Sequence, residues 1–404
     1  MTLKLSHLAR RVGHSGTLAI EDRMLQLRAE GKDIVNLGVG QLDFDTPEAV
    51  RAAGVAAIEQ GMTRYTPAAG TEALLRAVRV KFERENGLEY GADEVIVGSG
   101  AKSVLFHGLL ALLDPEDAVI VPVPAWPSYR SMIAVAGGQM VAARLDARNG
   151  YKLTADGLVE AVRAARGRAH GLVLNAPHNP TGAVYAREEL AQIAEVVQGE
   201  GLWVISDEIY EHLIYEGSAT SFAAIAGMRA RTLTVNGVSK SFAMTGWRIG
   251  YGGGPAALVR CMVAIQSHTS GNACSISQHA AEAALRLTLE GDEALSAERQ
   301  RVHDAMLRRR DLACRELAAI PGVTLVRPAG AFYIFADFSS HYGRELGGER
   351  VLGSSDLAAY LLSAAGVSVV PGIIFGDDRG LRLSFATARE ELSVALQRIK
   401  KALA

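Results

Sequence analysis

From about residue 70 to residue 290, short apolar runs alternate with helical patterns, and this alternation restricts the fold more than any other feature. Runs at 95–97, 118–123, 172–174, 202–205 and 233–235 read as strands, with helix-like stretches such as SVLFHGLLALL and REELAQIAEVV between them. Strands that are apolar throughout need cover on both faces, which a mainly parallel sheet flanked by helices provides. Such sheets bind ligands in the loops that follow their strand C-terminal ends. Lys102, Trp126, Asn179, Asp207, Tyr210 and Lys240 all follow a strand in this way.

After about residue 290 the pattern changes. AERQRVHDAMLRRRDLACRELAAI predicts a long helix, GAFYIFADF and GLRLSFATA predict strands, and helices are expected around 355–365 and 389–402. This α+β pattern, completed by the first forty-odd residues, predicts a large domain over 46–290 and a small one from 1–45, with an N-terminal arm, plus 291–404. The run Arg308, Arg309, Arg310 reads as a solvated helix face.

Charge and composition remove several function classes. The 404 residues carry 42 Lys and Arg against 44 Asp and Glu, so no global field exists to hold nucleic acid or an anionic membrane. No stretch approaches the roughly 18 apolar residues of a membrane span, and MTLKLSHLARRVGHSG lacks an apolar signal core. A cytoplasmic protein is expected. Cys261, Cys274 and Cys314 are odd in number and far apart, which suits buried thiols in a reducing compartment better than disulfides or a zinc site. The sequence contains no H-E-x-x-H, C-x-x-C or G-x-S-x-G, and no metal is expected.

Lysines mostly sit on surfaces. Lys240 stands apart because it follows a β-branched run, is flanked by Ser239 and Ser241, and precedes Arg248 by eight residues. That setting suits an imine-forming amine held beside a phosphate. Pyridoxal phosphate would need an acid at its ring nitrogen, a donor to its phenolic oxygen, a flat surface and a phosphate cradle. Asp207 is a candidate for the acid, Tyr210 and Asn179 for the donors, and Trp126 for the surface. Gly100, Ala101, Lys102 and Ser103 open a helix whose free N–H groups could seat a phosphate, with Arg248 adding a charge-assisted contact. Taken singly, Trp126 and Tyr210 read as core aromatics, Asp207 as a helix cap and Asn179 as a turn residue. GSGAKS lacks the spacing of a nucleotide P-loop.

Together, LGVGQLDFDTP (37–47), RYTPAAGTEALLRAV (64–78), NAPHNPTGAVY (175–185), SDEIYEHLIYEG (206–217), SKSFAMTGWRIGYGGGP (239–255), GAFYIFADF (330–338) and LRLSFATA (381–388) resemble class I/II aminotransferases. These are fold type I pyridoxal-phosphate enzymes, and the pattern is similar to their bacterial aspartate-aminotransferase-like branch. The resemblance implies a large domain with a mainly parallel seven-stranded sheet and a smaller α+β domain. It implies that Lys240 carries the cofactor as an imine, Arg248 holds the phosphate with Gly100, Ala101 and Lys102, Ser239 contacts the cofactor, and Asp207 pairs with the ring nitrogen. Tyr210 and Asn179 would hold the phenolic oxygen, and Trp126 would stack on the ring. Tyr65 would reach the phosphate of the other subunit, making a homodimer with shared active sites. Arg382, with the Gly40 N–H, would clamp the substrate α-carboxylate, and Trp126 and Asn179 would border the substrate.

The implied reaction moves an α-amino group from an L-amino acid to a 2-oxo acid by a ping-pong route, with Lys240 as general base. Lys102 and Thr17 would receive a distal carboxylate. Gln41-Leu42 replaces the family's usual Glu-Pro, and Gly13 or His14 replaces a lysine of some dicarboxylate-specific relatives, so aspartate or a broader donor set is expected. An elimination or oxidation on the same scaffold is the alternative, since fold and cofactor do not fix the reaction. A regulatory module would need a DNA-binding domain for which the chain has no spare length.

Overall fold

The computed structural model describes residues 16–404 and, ahead of them, residues 3, 4 and 6; the side chains of residues 16–21 and of Glu349 are outside the described set. Gly13 and His14 also lie outside it.

Seven strands make the larger sheet: β1 (Val95–Gly98), β2 (Ala118–Val123), β3 (Gln139–Arg144), β4 (Ala169–Asn175), β5 (Trp203–Asp207), β6 (Thr232–Gly237) and β7 (Gly250–Gly253). Their order is β1-β7-β6-β5-β4-β2-β3, and β7 alone runs antiparallel, to both its neighbours. The apolar runs end up where their composition requires: β1, β2 and β6 are buried along their whole length. The edge strand β3 is mostly uncovered and ends in Arg144, a charge that discourages further pairing. β4 begins three residues before its expected apolar run, because Ala169 and Gly171 pair with β2 without adding to the apolar signal.

Register decides what stands at the sheet's carboxyl edge. Asn175 pairs with Asp207 and Asp207 with Val235, so the ends of β4, β5 and β6 lie side by side. The composition of β7, Gly-Tyr-Gly-Gly, has a steric cause. A Cβ on Gly250 would overlap the Gly100–Ala101 backbone at the start of helix Ala101–Leu112, and one on Gly252 would stand 2.8 Å from Val104 Cγ1. Glycine lets this strand lie directly against that helix.

A second, antiparallel sheet comprises β8 (Thr324–Leu325), β9 (Tyr333–Asp337), β10 (Val370–Pro371) and β11 (Gly380–Ser384), in the order β10-β11-β9-β8. Val35–Asn36 pairs in parallel with Val367–Ser368, and Ser384 N donates to Leu37 O at 2.7 Å, which steers residues 38–41 toward the larger sheet. Helix Glu293–Ala318 has 26 residues, a length of about 39 Å at 1.5 Å per residue. Asp292 caps it by accepting from Leu295 N at 2.8 Å. Its Leu295 shares a core with Val50 and Tyr251, and its Met306 and Leu317 share another with Phe332 and Ile399.

Two expectations fail here. Arg309 and Arg310 do not form a solvated face with the exposed Arg308: both are buried. Arg309 makes a two-pronged bond to Asp43 at 2.6 and 2.9 Å, and Arg310, 2% exposed, pairs with Glu216 and Asp311 at 2.8 and 2.9 Å. Asp43 and Glu216 come from other parts of the chain, which helical spacing cannot reveal. Among the cysteines only Cys314 is buried; Cys261 and Cys274 are exposed. Among the described residues no helix is long and apolar enough to cross a membrane.

Candidate active site

A cavity of about 490 Å³ opens at the carboxyl ends of β4, β5 and β6 and is closed from the other side by residues 38–41, Tyr333 and Arg382. Lys240 enters it from a four-residue helix, Val238–Ser241, rather than from an open loop. Its Nζ donates to Gly40 O. Burial, then the charges of Arg248 and Arg382, lower the amine from 10.5 to about 8 against the opposing pull of Asp207.

Asp207, 4% exposed, ends β5. Its Oδ2 accepts from Tyr129 Oη at 2.6 Å and its Oδ1 from Ile209 N at 3.3 Å. Burial pushes the carboxyl up to about 6, although both hydrogen bonds pull the other way. Burial also raises the Tyr129 and Tyr210 phenols well above their ordinary range, so both stay protonated. Tyr210 Oη lies 3.1 Å from Tyr333 Oη. Asn175 Nδ2 donates to Asp207 O at 2.9 Å, and Asn175 Oδ1 accepts from Asn179 N at 2.8 Å, which ties the loop after β4 to the end of β5.

One end of the cavity is built for an anion. Gly100, at φ +86, leads into helix Ala101–Leu112 with no side-chain cap; Ser103 N donates to Gly100 O at 3.0 Å, and the N–H groups ahead of it in the first turn are the ones free for another acceptor. A Cβ at Gly100 would overlap the Arg248 guanidinium. Arg248 has left-handed backbone (φ +58), an uncommon state for a side chain of its size. Its Nη1 donates to Thr245 O at 2.9 Å. Lys102 Nζ stands 4.8 Å from the Trp126 ring centre, and Trp126 meets Tyr129 edge to face at 5.3 Å.

Arg382 marks the opposite end. It lies on β11 between Phe335 of β9 and Val370 of β10 and is 5% exposed. Nη2 donates to Gly38 O at 2.6 Å and Nη1 to Asn179 Oδ1 at 3.3 Å, while Nε is buried without an acceptor among the described residues. The guanidinium stacks 4.4 Å from the Tyr333 ring centre. A buried guanidinium with an unused N–H can grip a carboxylate.

Of the residues singled out in the sequence, Gly40, Ala101, Lys102, Trp126, Asn179, Asp207, Tyr210, Ser239, Lys240, Arg248 and Arg382 line this cavity, with Gly100 beneath Arg248. Tyr65 does not: it is 98% exposed on the surface. Thr17 lies on helix Gly16–Ala29, and its side chain is outside the described residues. Sequence reasoning missed Tyr129, Asn175 and Tyr333. Tyr129 follows Trp126 by three residues at the start of helix Ser128–Val135, and Asn175 closes a strand whose partner ends in Asp207; both positions carry a signal in hindsight of the register.

Among the described residues, four cationic side chains, Lys102, Lys240, Arg248 and Arg382, line the cavity against the single carboxylate of Asp207. This donor set fits pyridoxal phosphate: a doubly charged phosphate at the Gly100–Arg248 end, an aldehyde at Lys240 and a ring nitrogen at Asp207. It also leaves Arg382 for a substrate carboxylate.

A sequence model of the family Aminotransferase class I and II matches residues 32–399. An aspartate/prephenate aminotransferase of Cereibacter sphaeroides is 43% identical over 400 residues, covering 98% of both chains. The crystal structure of an aspartate aminotransferase from Rhizobium meliloti superimposes with a TM-score of 0.93 at 40% identity, covering 100% of this chain and 99% of that one. The Thermus thermophilus aspartate aminotransferase with maleate gives 0.92 at 40% identity with both chains fully covered. Built around a half-buried lysine among cations at the edge of a fold type I sheet, the chain belongs to the aminotransferase class I and II family and is an amino-acid aminotransferase.

Proposed function

We propose that the chain binds pyridoxal 5′-phosphate through Lys240 and moves the α-amino group of aspartate-like, and a wider range of, L-amino acids to a 2-oxo acid such as 2-oxoglutarate. The observation that carries this reading is the cluster of four cations around one buried carboxylate, matched to a phosphate and a substrate carboxylate at opposite ends. A dicarboxylic substrate is supported by Lys102 at the cavity wall and by the maleate, a dicarboxylate, named with the Thermus thermophilus relative.

When bound, the cofactor supplies an aldehyde that links to amines and a cationic ring that accepts the electron pair left when the substrate Cα–H bond breaks. Asp207, in its ionised form, would pair with that ring nitrogen and keep it protonated; a cation there would in turn pull the Asp207 carboxyl down from about 6. Tyr210 and Asn179 would donate to the phenolic oxygen, Trp126 would cover the ring, and Gly100, Ala101, Lys102, Ser239 and Arg248 would hold the phosphate. Lys240 Nζ, as a free amine, would be the general base that takes the substrate Cα proton and delivers it to the carbon that had carried the aldehyde. Its lowered amine pKa leaves much of it as free base near pH 8. Arg382 turns from Gly38 O and Asn179 Oδ1 to the substrate α-carboxylate, with Gly40 beside it.

Tyr65 is proposed to complete the phosphate site of a second copy, giving a homodimer. The division into 46–290 and 1–45 with 291–404 is proposed with it, as is a cytoplasmic setting, where three unpaired thiols are at home. The test is to mix the cofactor-loaded protein with a panel of amino acids and follow the cofactor absorbance with and without 2-oxoglutarate. Conversion to the amine form, reversed by the oxo acid, is expected with aspartate. Release of ammonia or peroxide without that conversion would overturn amino transfer.

A further inference from the structure

Lys240 also lines a second cavity of about 490 Å³, whose wall includes Ser241, His212, Phe242, Arg299 and Val302. Ser239 faces the first cavity and Ser241 the second, so helix Val238–Ser241 stands between them. In the second wall His212 Nδ1 lies 2.8 Å from Ser241 Oγ, and His212 Nε2 lies 3.0 Å from Glu85 Oε2.

The far end of this chain of bonds is firmly held. Burial pushes the Glu85 carboxyl up, but the His212 hydrogen bond and the charges of His212, Lys81 and Arg299 outweigh it and hold the group at about 2. Lys81 is buried, 3.5 Å from Glu85 and ion-paired to the buried Glu211, which also accepts from Asn86 Nδ2 at 2.7 Å. Glu211 in turn lies 3.9 Å from His212 Nε2. With Glu85 ionised, His212 Nε2–H is the donor to it, and in the neutral ring Nδ1 accepts from the Ser241 hydroxyl. A continuous path thus joins helix Glu72–Asn86 to the residue next to Lys240.

A four-residue helix cannot hold itself in place, since nucleation alone is unfavourable. Backbone bonds from Phe242 N to Val238 O and from Met244 N to Ser239 O, both 3.1 Å, fix its far side. The amine must serve two positions, the cofactor link and the proton in flight, with its Cα unmoved. We infer that Glu85, His212 and Ser241 form a positioning relay that fixes the Lys240 peptide while its amine changes partners. The relay rests on the reading of Lys240 as the cofactor-linking residue. None of its members lines the first cavity.

The test compares wild type with Ser241→Ala, Ser241→Thr and His212→Ala, measuring kcat, KM and the pH titration of the visible absorbance of the lysine-linked cofactor. Ser241→Ala should lower kcat about tenfold with KM changed less than about twofold, and should move the titration midpoint. Ser241→Thr should restore both. His212→Ala should reproduce the loss, and the double Ala variant should be no worse than either single one. An alanine variant with wild-type kcat and midpoint overturns the relay alone, as does a loss that threonine does not rescue. A wild type with no lysine-linked absorbance overturns both the relay and the role of Lys240.

Discussion

Burial acts on Lys240 and Asp207 in opposite senses, lowering one to about 8 and raising the other to about 6, and each shift has a measurable consequence. Only the free amine attacks an aldehyde, so uptake of pyridoxal phosphate by the cofactor-free protein should rise through pH 8, far below the ordinary 10.5. A stopped-flow titration of uptake rate against pH with a midpoint above 10 would contradict this. For Asp207 the folded value lies above the unfolded 3.8, so its ionised form opposes folding above pH 6, and that penalty fades as pH falls from 6 toward 3.8. Asp207→Asn should therefore flatten the pH dependence of cofactor-free stability in that window, read by chemical denaturation at pH 4 to 8. Arg382→Lys keeps a charge but loses the planar fork, and should lower kcat/KM for aspartate about 100-fold. Loss of kcat alone, with KM unchanged, would place Arg382 elsewhere in the reaction.

At the scale of elements, the contrast between Arg308 and Arg310 can be measured. Arg310 is buried over the Tyr215 ring at 5.1 Å, with partners that remain half exposed, so Arg310→Ala should cost about 2 kcal/mol in denaturant titration. Arg308→Ala should stay within about 0.5 kcal/mol. The same pair shows where the sequence stops speaking. The alternation of apolar strands and helices announced the parallel sheet, and the residue types after each strand announced Lys240, Asp207 and Arg248, because burial on both faces and strand-end loops leave local marks. Partners supplied by remote segments leave none. Asp43 under Arg309, Tyr129 on Asp207 and Tyr333 beside Tyr210 and Arg382 depend on register and on how two sheets meet. The short helix beneath Lys240 leaves no such mark either, because four residues carry too little periodicity to count.

On the whole molecule, Tyr65 shares the surface with exposed Val55, Ile58 and Met62, apolar groups that a second copy would cover. If Tyr65 completes the partner's site, inactive Lys240→Ala and impaired Tyr65→Ala proteins should regain activity when unfolded together and refolded as a mixture. Random pairing would return about a quarter of wild-type activity, carried by mixed dimers with one intact site. A mixture no more active than the average of its parents would contradict a shared site. The 26-residue helix bears on a different kind of experiment. Because Leu295 fills one core and Met306 and Leu317 another, a chain split after residue 290 would take a plug from the first piece and hand it to the second. Two such fragments should be insoluble when expressed apart and recoverable only when co-expressed, so the joint between the two sheets is a shared beam and no place for a cut, a tag or a swapped module.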